Sequence, residues 1–233
     1  MGRSRTAGLA GAVALGAMSI LAGVGAPSAA AQPCPDVEVV FARGTSEPTG
    51  VGGVGRAFVD ALRARAGSKT VGVYAVNYPA ANNFRDRPAF ARTVTDGVRD
   101  ETERLRSMSV RCPQTRLVLG GYSQGAAVTE FATSDRVPGG VPATVAPKPL
   151  PPDVADHVAA VVLFGAPEGQ FLVKYGVPGV SVGPRYAHKT VELCAAGDSV
   201  CEGVPKGGPN PAHSLYPVNG MVNAGARYAA GRL

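Results

Sequence analysis

The sequence predicts a three-layer α/β fold in which a five-stranded parallel sheet is covered by helices on both faces. Five runs of apolar, often β-branched residues have the length of strands, and helical patterns separate them. Most of these runs are continuously apolar, which is typical of strands that are buried on both faces of a parallel sheet. Strands and helices that alternate in this way form layers through right-handed crossovers.

The elements can be assigned in order along the chain. Helices are predicted over 54–66, 89–108, 124–133 and 217–232, whereas the Pro- and Gly-rich segments 134–156 and 171–189 are expected to be surface connections. The predicted strands are Val37–Ala42, Val71–Val76, Arg116–Gly120, Val158–Phe164 and Thr190–Ala195. The residues predicted to form the buried faces of the first two helices are Val54, Phe58 and Leu62, and Phe90, Val94, Val98 and Leu105.

The first 31 residues have the features of a secretory signal peptide. Arg3 and Arg5 form a positively charged start, residues 7–24 are apolar, and three alanines provide a cleavage pattern before Gln32. A retained membrane anchor is the alternative, but the stretch is short, rich in Gly and ends in small residues. No later segment is long and apolar enough to span a bilayer. We therefore expect a secreted protein whose single domain covers residues 32–233.

The charge of the chain argues against nucleic-acid binding. The chain has 23 Lys and Arg against 17 Asp and Glu, so its net charge is +6, and removal of Arg3 and Arg5 leaves +4. Because the positive residues are scattered along the chain, no basic surface for nucleic acid is expected. The mild positive charge favours weak association with an anionic cell envelope. We also expect the protein to be a monomer.

All four cysteines lie after the predicted signal peptide, at Cys34, Cys112, Cys194 and Cys201. An even number of cysteines in a secreted chain indicates two disulfides, for which three pairings are possible. The spacing favours Cys34–Cys112 and Cys194–Cys201. A zinc site is the alternative, but no CxxC pair or nearby His supports it.

The segment RLVLGGYSQGAAV (116–128) predicts a strand, a tight turn and a helix. The turn GYSQG (121–125) matches the G-x-S-x-G nucleophile elbow in the strand–turn–helix context that this motif requires. Such a turn strains the backbone of the nucleophilic serine, so both glycines are needed to clear neighbouring atoms. Ser123 would then project at the carboxyl end of the sheet, beside helix N–H groups that can stabilise an oxyanion.

A serine nucleophile needs a general base, and the elbow motif orders the three catalytic residues as Ser, then Asp or Glu, then His. The chain has three His residues. His157 and His188 precede predicted strands, at the opposite end of the sheet, although a loop could bring His188 near the site. His213 follows the last strand and is the predicted base, with His188 as the alternative.

Asp198 is the predicted acid because it follows the last predicted strand and precedes His213. The segment CAAGDSVC (194–201) places two cysteines around it, which would close a short ring. An Asp in a turn also occurs for purely structural reasons. Glu192, inside the predicted strand, and Glu202, beyond the ring, are the other candidates.

An oxyanion hole needs two donors, and the first is expected to be the backbone N–H of Gln124. The loop FARGTSE (41–47) follows the first strand. If the first and third strands are neighbours, this loop lies beside Ser123. Thr45 would then supply its backbone N–H and its hydroxyl, with Ser46 as the alternative donor.

A second glycine pattern, Gly50, Gly52 and Gly55, matches G-x-G-x-x-G before a helix. A dinucleotide site requires an acidic residue about 20 positions further on. No Asp or Glu occurs between Asp60 and Asp86. The pattern is therefore interpreted as a flexible loop that leads into a helix.

Four motifs, FARGTSE, GYSQG, CAAGDSVC and PAHSLY, together with the four cysteines, resemble the cutinases and cutinase-like serine esterases. The resemblance extends from residue 34 to about residue 228. It implies an α/β-hydrolase fold with a five-stranded parallel sheet, no bulky lid over the serine and no cofactor. It also implies hydrolysis of short- to medium-chain carboxylic esters, from small molecules, lipids or polyesters. The high Ala, Gly and Arg content is typical of an actinobacterial, and in particular a mycobacterial, chain.

By motif position, the resemblance implies that Ser123, Asp198 and His213 form the catalytic triad. It likewise implies that Thr45 and Gln124 form the oxyanion hole, and that the disulfides pair as the spacing favours. Two alternatives use the same scaffold: an acetylxylan-type or phospholipid esterase, and a non-catalytic secreted binding or antigenic module. A missing triad residue would indicate the module, and all three residues are present.

Overall fold

The computed structural model describes residues 1–2, 33–137, 147–176, 178–203 and 208–233. The predicted signal peptide and the middle of the 134–156 segment fall outside these described residues. The unit Cys34–Leu233 contains every helix and strand given below.

The sheet has five parallel strands in the order β2-β1-β3-β4-β5. This confirms the predicted sheet. The first and third strands are neighbours, which is the condition for the 41–47 loop to lie beside Ser123. The strands are β1 (Val37–Ala42), β2 (Val71–Ala75), β3 (Arg116–Tyr122), β4 (Val158–Phe164) and β5 (Thr190–Leu193).

Three strand ends differ from the prediction, and the pairing register accounts for two of them. β3 continues to Tyr122, beyond the predicted Gly120, because its last residues still pair with β4. β5 stops at Leu193, short of the predicted Ala195, because Leu193 pairs with Phe164, the last residue of β4. β2 ends one residue earlier than predicted.

The four main helices are α1 (Gly52–Arg63), α2 (Arg87–Arg111), α3 (Gln124–Thr133) and α7 (Met221–Ala230). α7 begins at Met221 instead of 217, because Gly220 has a left-handed φ of 86° that interrupts the helix. The predicted connections were wrong in part, since short helices lie within or across them. These are α4 (Val154–His157), α5 (Gly169–Lys174) and α6 (Pro184–Ala187).

The helices cover both faces of the sheet, which confirms the three-layer prediction. α2 and α3 pack against one face, where Val40, Leu119 and Leu163 project from the strands. α1 and α7 pack against the other face, where Phe41 and Phe164 project. The apolar residues predicted for the first two helices are all buried, namely Val54, Phe58, Leu62, Phe90, Val94, Val98 and Leu105.

The two disulfides lie at opposite edges of this sheet. Cys34 and Cys112 precede β1 and β3, with 5.6 Å between their Cα atoms, whereas Cys194 and Cys201 follow β5, with 5.8 Å between theirs. These are the two pairings that the spacing of the cysteines favours. Within the described ranges, no helix has the length and apolar character needed to cross a membrane.

Candidate active site

Ser123 lies in a strained turn between β3 and α3, as the elbow motif predicts. Its φ is 55°, a left-handed value that is uncommon for a residue with a side chain. A Cβ atom on Gly121 would collide with the backbone of Gly125, and one on Gly125 would collide with the carbonyl group of Ala42. The two glycines therefore allow β3, the turn and α3 to pack closely, which holds Ser123 at the carboxyl edge of the sheet.

The structure brings Ser123, His213 and Asp198 into one hydrogen-bonded row. His213 Nε2 lies 2.8 Å from Ser123 Oγ, and His213 Nδ1 lies 2.9 and 2.8 Å from the two carboxylate oxygens of Asp198. Because a carboxylate accepts at Nδ1, the ring proton belongs on Nδ1 and Nε2 is free to accept the serine proton. His213 is only 4% exposed and Asp198 is fully buried, so water is largely excluded from this row.

Asp198 remains a carboxylate in spite of its burial. Burial raises its pKa, but hydrogen bonds donated by His213, Tyr216 and the backbone N–H of Val200 outweigh that effect and hold the pKa below its ordinary value. The Tyr216 hydroxyl donates to Oδ2 at 2.6 Å, and the Val200 N–H donates to Oδ1 at 3.0 Å. A buried anion with these donors is suited to orienting His213 and to stabilising its protonated form.

Thr45 and Gln124 face the same cavity as Ser123. The Thr45 hydroxyl is buried and has no hydrogen-bond partner among the described residues. The backbone N–H of Gln124 begins α3, where a helix has no partner of its own for its first donors. Ser46 also lines the cavity, but its backbone N–H already donates to the Ala80 carbonyl at 2.8 Å.

The loop that holds Thr45 is fixed by Glu47 and Arg43, two residues of the FARGTSE motif to which the sequence analysis assigned no role. The Glu47 carboxylate accepts from the N–H groups of Gly44 and Gly53, each at 2.7 Å, and so ties the loop to the start of α1. The Arg43 guanidinium donates to the Tyr78 carbonyl at 2.6 Å. The G-x-G-x-x-G pattern thus has a structural role, since α1 begins within it at Gly52.

Ser123 opens into a crevice with a volume of about 270 Å³. Most of its wall is apolar and comes from α2, α5 and the loop before α2. None of the described residues between 134 and 156 lines it. The apolar lining residues include Phe84, Phe90, Val94, Phe171, Leu172 and Tyr175.

The other candidate residues lie outside the hydrogen-bonded row. His188 directly follows α6 at the amino edge of the sheet, and the His157 ring contacts the Pro113 carbonyl there at 3.1 Å. Glu192 is exposed on β5. The Glu202 carboxylate accepts from the Gly197 N–H at 2.8 Å, so it supports the turn that contains Asp198 without contacting His213.

Three further residues complete the surroundings of the row. The Tyr122 hydroxyl donates to the His213 carbonyl at 2.5 Å, and Tyr216 contacts Asp198 as described. Gly165 follows β4, and a Cβ atom there would approach Asp198, His213 and Tyr216. Both tyrosines occur inside the quoted motifs GYSQG and PAHSLY, but sequence alone does not indicate which atoms they contact.

Comparison with known proteins places the chain among ester hydrolases. The cutinase family model matches residues 33–233. A probable carboxylesterase, Culp7, from Mycobacterium tuberculosis is 55% identical over 72% of this chain and 88% of its own length. A phospholipase of the same organism, Culp4, is 44% identical over 89% of this chain and 83% of its own length. Both relatives are mycobacterial, in agreement with the composition.

A solved structure shares both the fold and appreciable sequence identity. The Trichoderma reesei cutinase in complex with a phosphonate inhibitor superposes with a TM-score of 0.64 and is 31% identical. The match covers 85% of this chain and 77% of that chain. It therefore extends over nearly all of the described unit.

Proposed function

The chain belongs to the cutinase family and is a carboxylic ester hydrolase, and from this premise we propose that it is a secreted esterase in which Ser123 is the nucleophile, His213 the general base and Asp198 the acid. We further propose short- to medium-chain esters as its substrates. The observation that supports this assignment best is the unbroken row of hydrogen bonds from Ser123 Oγ through His213 to Asp198.

The geometry supports an acyl-enzyme mechanism. His213 Nε2 accepts the Ser123 proton as Oγ attacks the ester carbonyl carbon, and Asp198 stabilises the imidazolium that forms. The negative charge on the carbonyl oxygen is stabilised by the backbone N–H groups of Thr45 and Gln124. His213 then returns its proton to the leaving alcohol as the ester bond breaks. In the second half, His213 takes a proton from water as the water oxygen attacks the acyl carbon, and it returns that proton to Ser123 Oγ as the carboxylic acid leaves.

The walls of the crevice favour an apolar acyl group over a carbohydrate. Most of its lining surface is apolar, although Ser46, Asn82 and Ser214 also line it, whereas a polysaccharide site needs polar groups for each of several sugar hydroxyls. A lipid or phospholipid ester is the second candidate, because the similar protein Culp4 is a phospholipase. The two disulfides support secretion, since such bonds persist in oxidising compartments. A monomeric state and weak association with the cell envelope belong to the same proposal.

The proposal is tested by labelling and by substitution of Ser123. A serine-directed phosphonate should modify Ser123 alone, as mass spectrometry of the digested protein can show. Ser123→Ala should lower kcat by about four to six orders of magnitude while the circular dichroism spectrum stays that of the parent. Ser109→Ala, near the C-terminal end of α2 and outside the crevice lining, is the control and should retain activity. Labelling at another serine, or an active Ser123→Ala protein, would refute the assignment.

The substrate class is tested with nitrophenyl esters from acetyl to palmitoyl, a phospholipid and an acetylated polysaccharide. The highest kcat/KM should fall on the short- to medium-chain nitrophenyl esters. A preference for the phospholipid would move the assignment to the second candidate, and a preference for the polysaccharide would contradict the argument from crevice polarity.

A further inference from the structure

A second cavity lies beside the catalytic crevice, between α2 and the residues that follow α3. Its volume is about 70 Å³, and its lining is mostly apolar. It contains none of the residues of the hydrogen-bonded row. The described residues that line it include Thr95, Val98, Phe131, Val137 and Pro149.

Val94 lines both the crevice and this second cavity. It is 5% exposed and belongs to the core between the sheet and the helices α2 and α3. One turn before it, Phe90 lines the crevice only, and one turn after it, Val98 lines the second cavity only. Along the neighbouring α3, Ala127 lines the crevice and Phe131, one turn later, lines the second cavity. Ala91, the residue after Phe90, also lines the second cavity, so the two cavities lie side by side on the α2 surface, and Val94 is the residue that lines both.

The direction of the acyl chain follows from the chemistry of the site. The leaving oxygen must lie next to His213 Nε2, because His213 returns its proton to that oxygen. His213 and Ser214 therefore border the alcohol side of the crevice. The acyl group takes the remaining apolar part of the crevice, whose walls include Phe90, Val94 and Ala127.

We propose that Val94 determines acyl-chain specificity: it ends the acyl crevice and separates it from the second apolar cavity. The inference rests on the proposed function and adds to it a physical limit on chain length. In the wild-type protein, methylene groups beyond this limit stay in water and contribute no binding. Removal of the two γ-methyl groups would join the cavities, and the joined space would accept the end of a longer saturated chain.

The test compares kcat/KM for nitrophenyl esters from butanoyl to dodecanoyl. Each additional buried methylene should raise kcat/KM about fourfold. A volume of about 70 Å³ holds only about two such groups, so Val94→Ala should raise the decanoyl-to-butanoyl ratio about sixteenfold. Val94→Phe, which thickens the boundary, should lower that ratio.

Two further variants separate this effect from general loosening. Val98→Phe fills the second cavity, so Val94→Ala/Val98→Phe should lose the gain for long chains. Val59→Ala removes the same two methyl groups at a site that is 3% exposed in the other core, on α1, and should not change the ratio.

An unchanged ratio in folded Val94→Ala and Val94→Phe proteins would overturn the inference, as would an equal change in Val59→Ala. These outcomes leave the proposed function intact as long as butanoyl ester is hydrolysed in a Ser123-dependent way. Absence of ester hydrolysis by the wild-type protein would instead refute the proposed function.

Discussion

The two edges of the sheet arise from the same five strands but use polar groups differently. At the amino edge, polar groups join neighbouring segments. Asp36 accepts from the N–H and the hydroxyl of Thr70, each at 2.7 Å, and the Thr115 hydroxyl donates to the Pro35 carbonyl at 2.6 Å. At the carboxyl edge, the row from Ser123 to Asp198 converges on one crevice.

The amino edge contains contacts that stabilise the fold, whereas the carboxyl edge contains features that are unfavourable on their own. The amino edge contains satisfied pairs and the long disulfide, so its groups stabilise the folded chain. The carboxyl edge contains a serine with a left-handed φ and a fully buried carboxylate, both of which are unfavourable on their own. Such features persist at a functional site because the surrounding structure holds them in place.

The largest expected difference between the edges concerns the two His residues that the sequence left as candidates for the base. His213→Ala should lower kcat by about four to six orders of magnitude, because Ser123 loses its proton acceptor. His188→Ala, at the amino edge, should retain most activity. Steady-state kinetics on a soluble ester distinguishes the two variants. The reverse result would assign the base to His188.

The long disulfide should affect stability more than catalysis. In the chain-entropy model, a bridge between residues 78 positions apart contributes roughly 4 to 5 kcal/mol. Replacement of Cys34 and Cys112 by Ser should therefore lower Tm by roughly 10 to 20 °C. The kcat of the remaining folded protein should stay close to that of the parent. Calorimetry beside active-site titration measures both, and equal losses would contradict the separation of the edges.

The short disulfide should show the opposite pattern. Cys194 and Cys201 are 7 residues apart and enclose Asp198. Because this loop is short, the bridge removes less entropy from the unfolded chain and stabilises the folded protein by only roughly 2 to 3 kcal/mol. Its replacement by two Ser residues allows Asp198 to move relative to His213. A displacement of about 1 Å costs on the order of a hundredfold in rate, so kcat should fall by about that factor in a folded protein.

A parent-like kcat in the variant without this bridge would show that the ring does not position the acid. The acid assignment would then be reopened, with Glu192 and Glu202 as candidates. Glu202 would be examined first, because it already contacts the turn at Gly197.

The smallest expected effect concerns Tyr216, which donates one of the hydrogen bonds to Asp198. Tyr216→Phe should lower kcat about tenfold, with little change in KM. The pKa of Asp198 should rise, because one of the interactions that lower it is lost. A carboxyl group with a lowered pKa stabilises the folded protein at pH values above its ordinary pKa, and this stabilisation is lost as the pH falls. The free energy of unfolding of Tyr216→Phe should therefore decrease less on acidification than that of the parent.

The Asp198 titration can be followed through its carboxyl carbon by NMR, a measurement that a general packing defect would not shift. Tyr186→Phe is the matched control, because the Tyr186 hydroxyl is buried without a hydrogen-bond partner among the described residues. An unmoved Asp198 titration in Tyr216→Phe would show that Tyr216 has only a packing role.

Much of the fold and of the site could be predicted because the signals are local. The continuous apolar runs indicated the parallel strands, and β1 and β4 have the predicted bounds. The strand–GYSQG–helix pattern indicated Ser123, because the tight turn between a strand and a helix requires a glycine two residues before and two residues after the serine. Asp198 and His213 followed from chain order after the last strand.

The remaining features depend on side chains from separate elements, so only the tertiary structure decided them. The last residues of β3 and β5 are those that pair with the end of β4, and the sequence of one strand does not reveal the end of its neighbour. Tyr216, Glu47 and Gly165 act through contacts with residues on other elements, and no spacing rule predicts them. The sequence by itself determined which chemistry the chain can perform. Packing between α2 and α3 decided that Val94 separates two cavities, because a boundary between cavities exists only once both helices are in place.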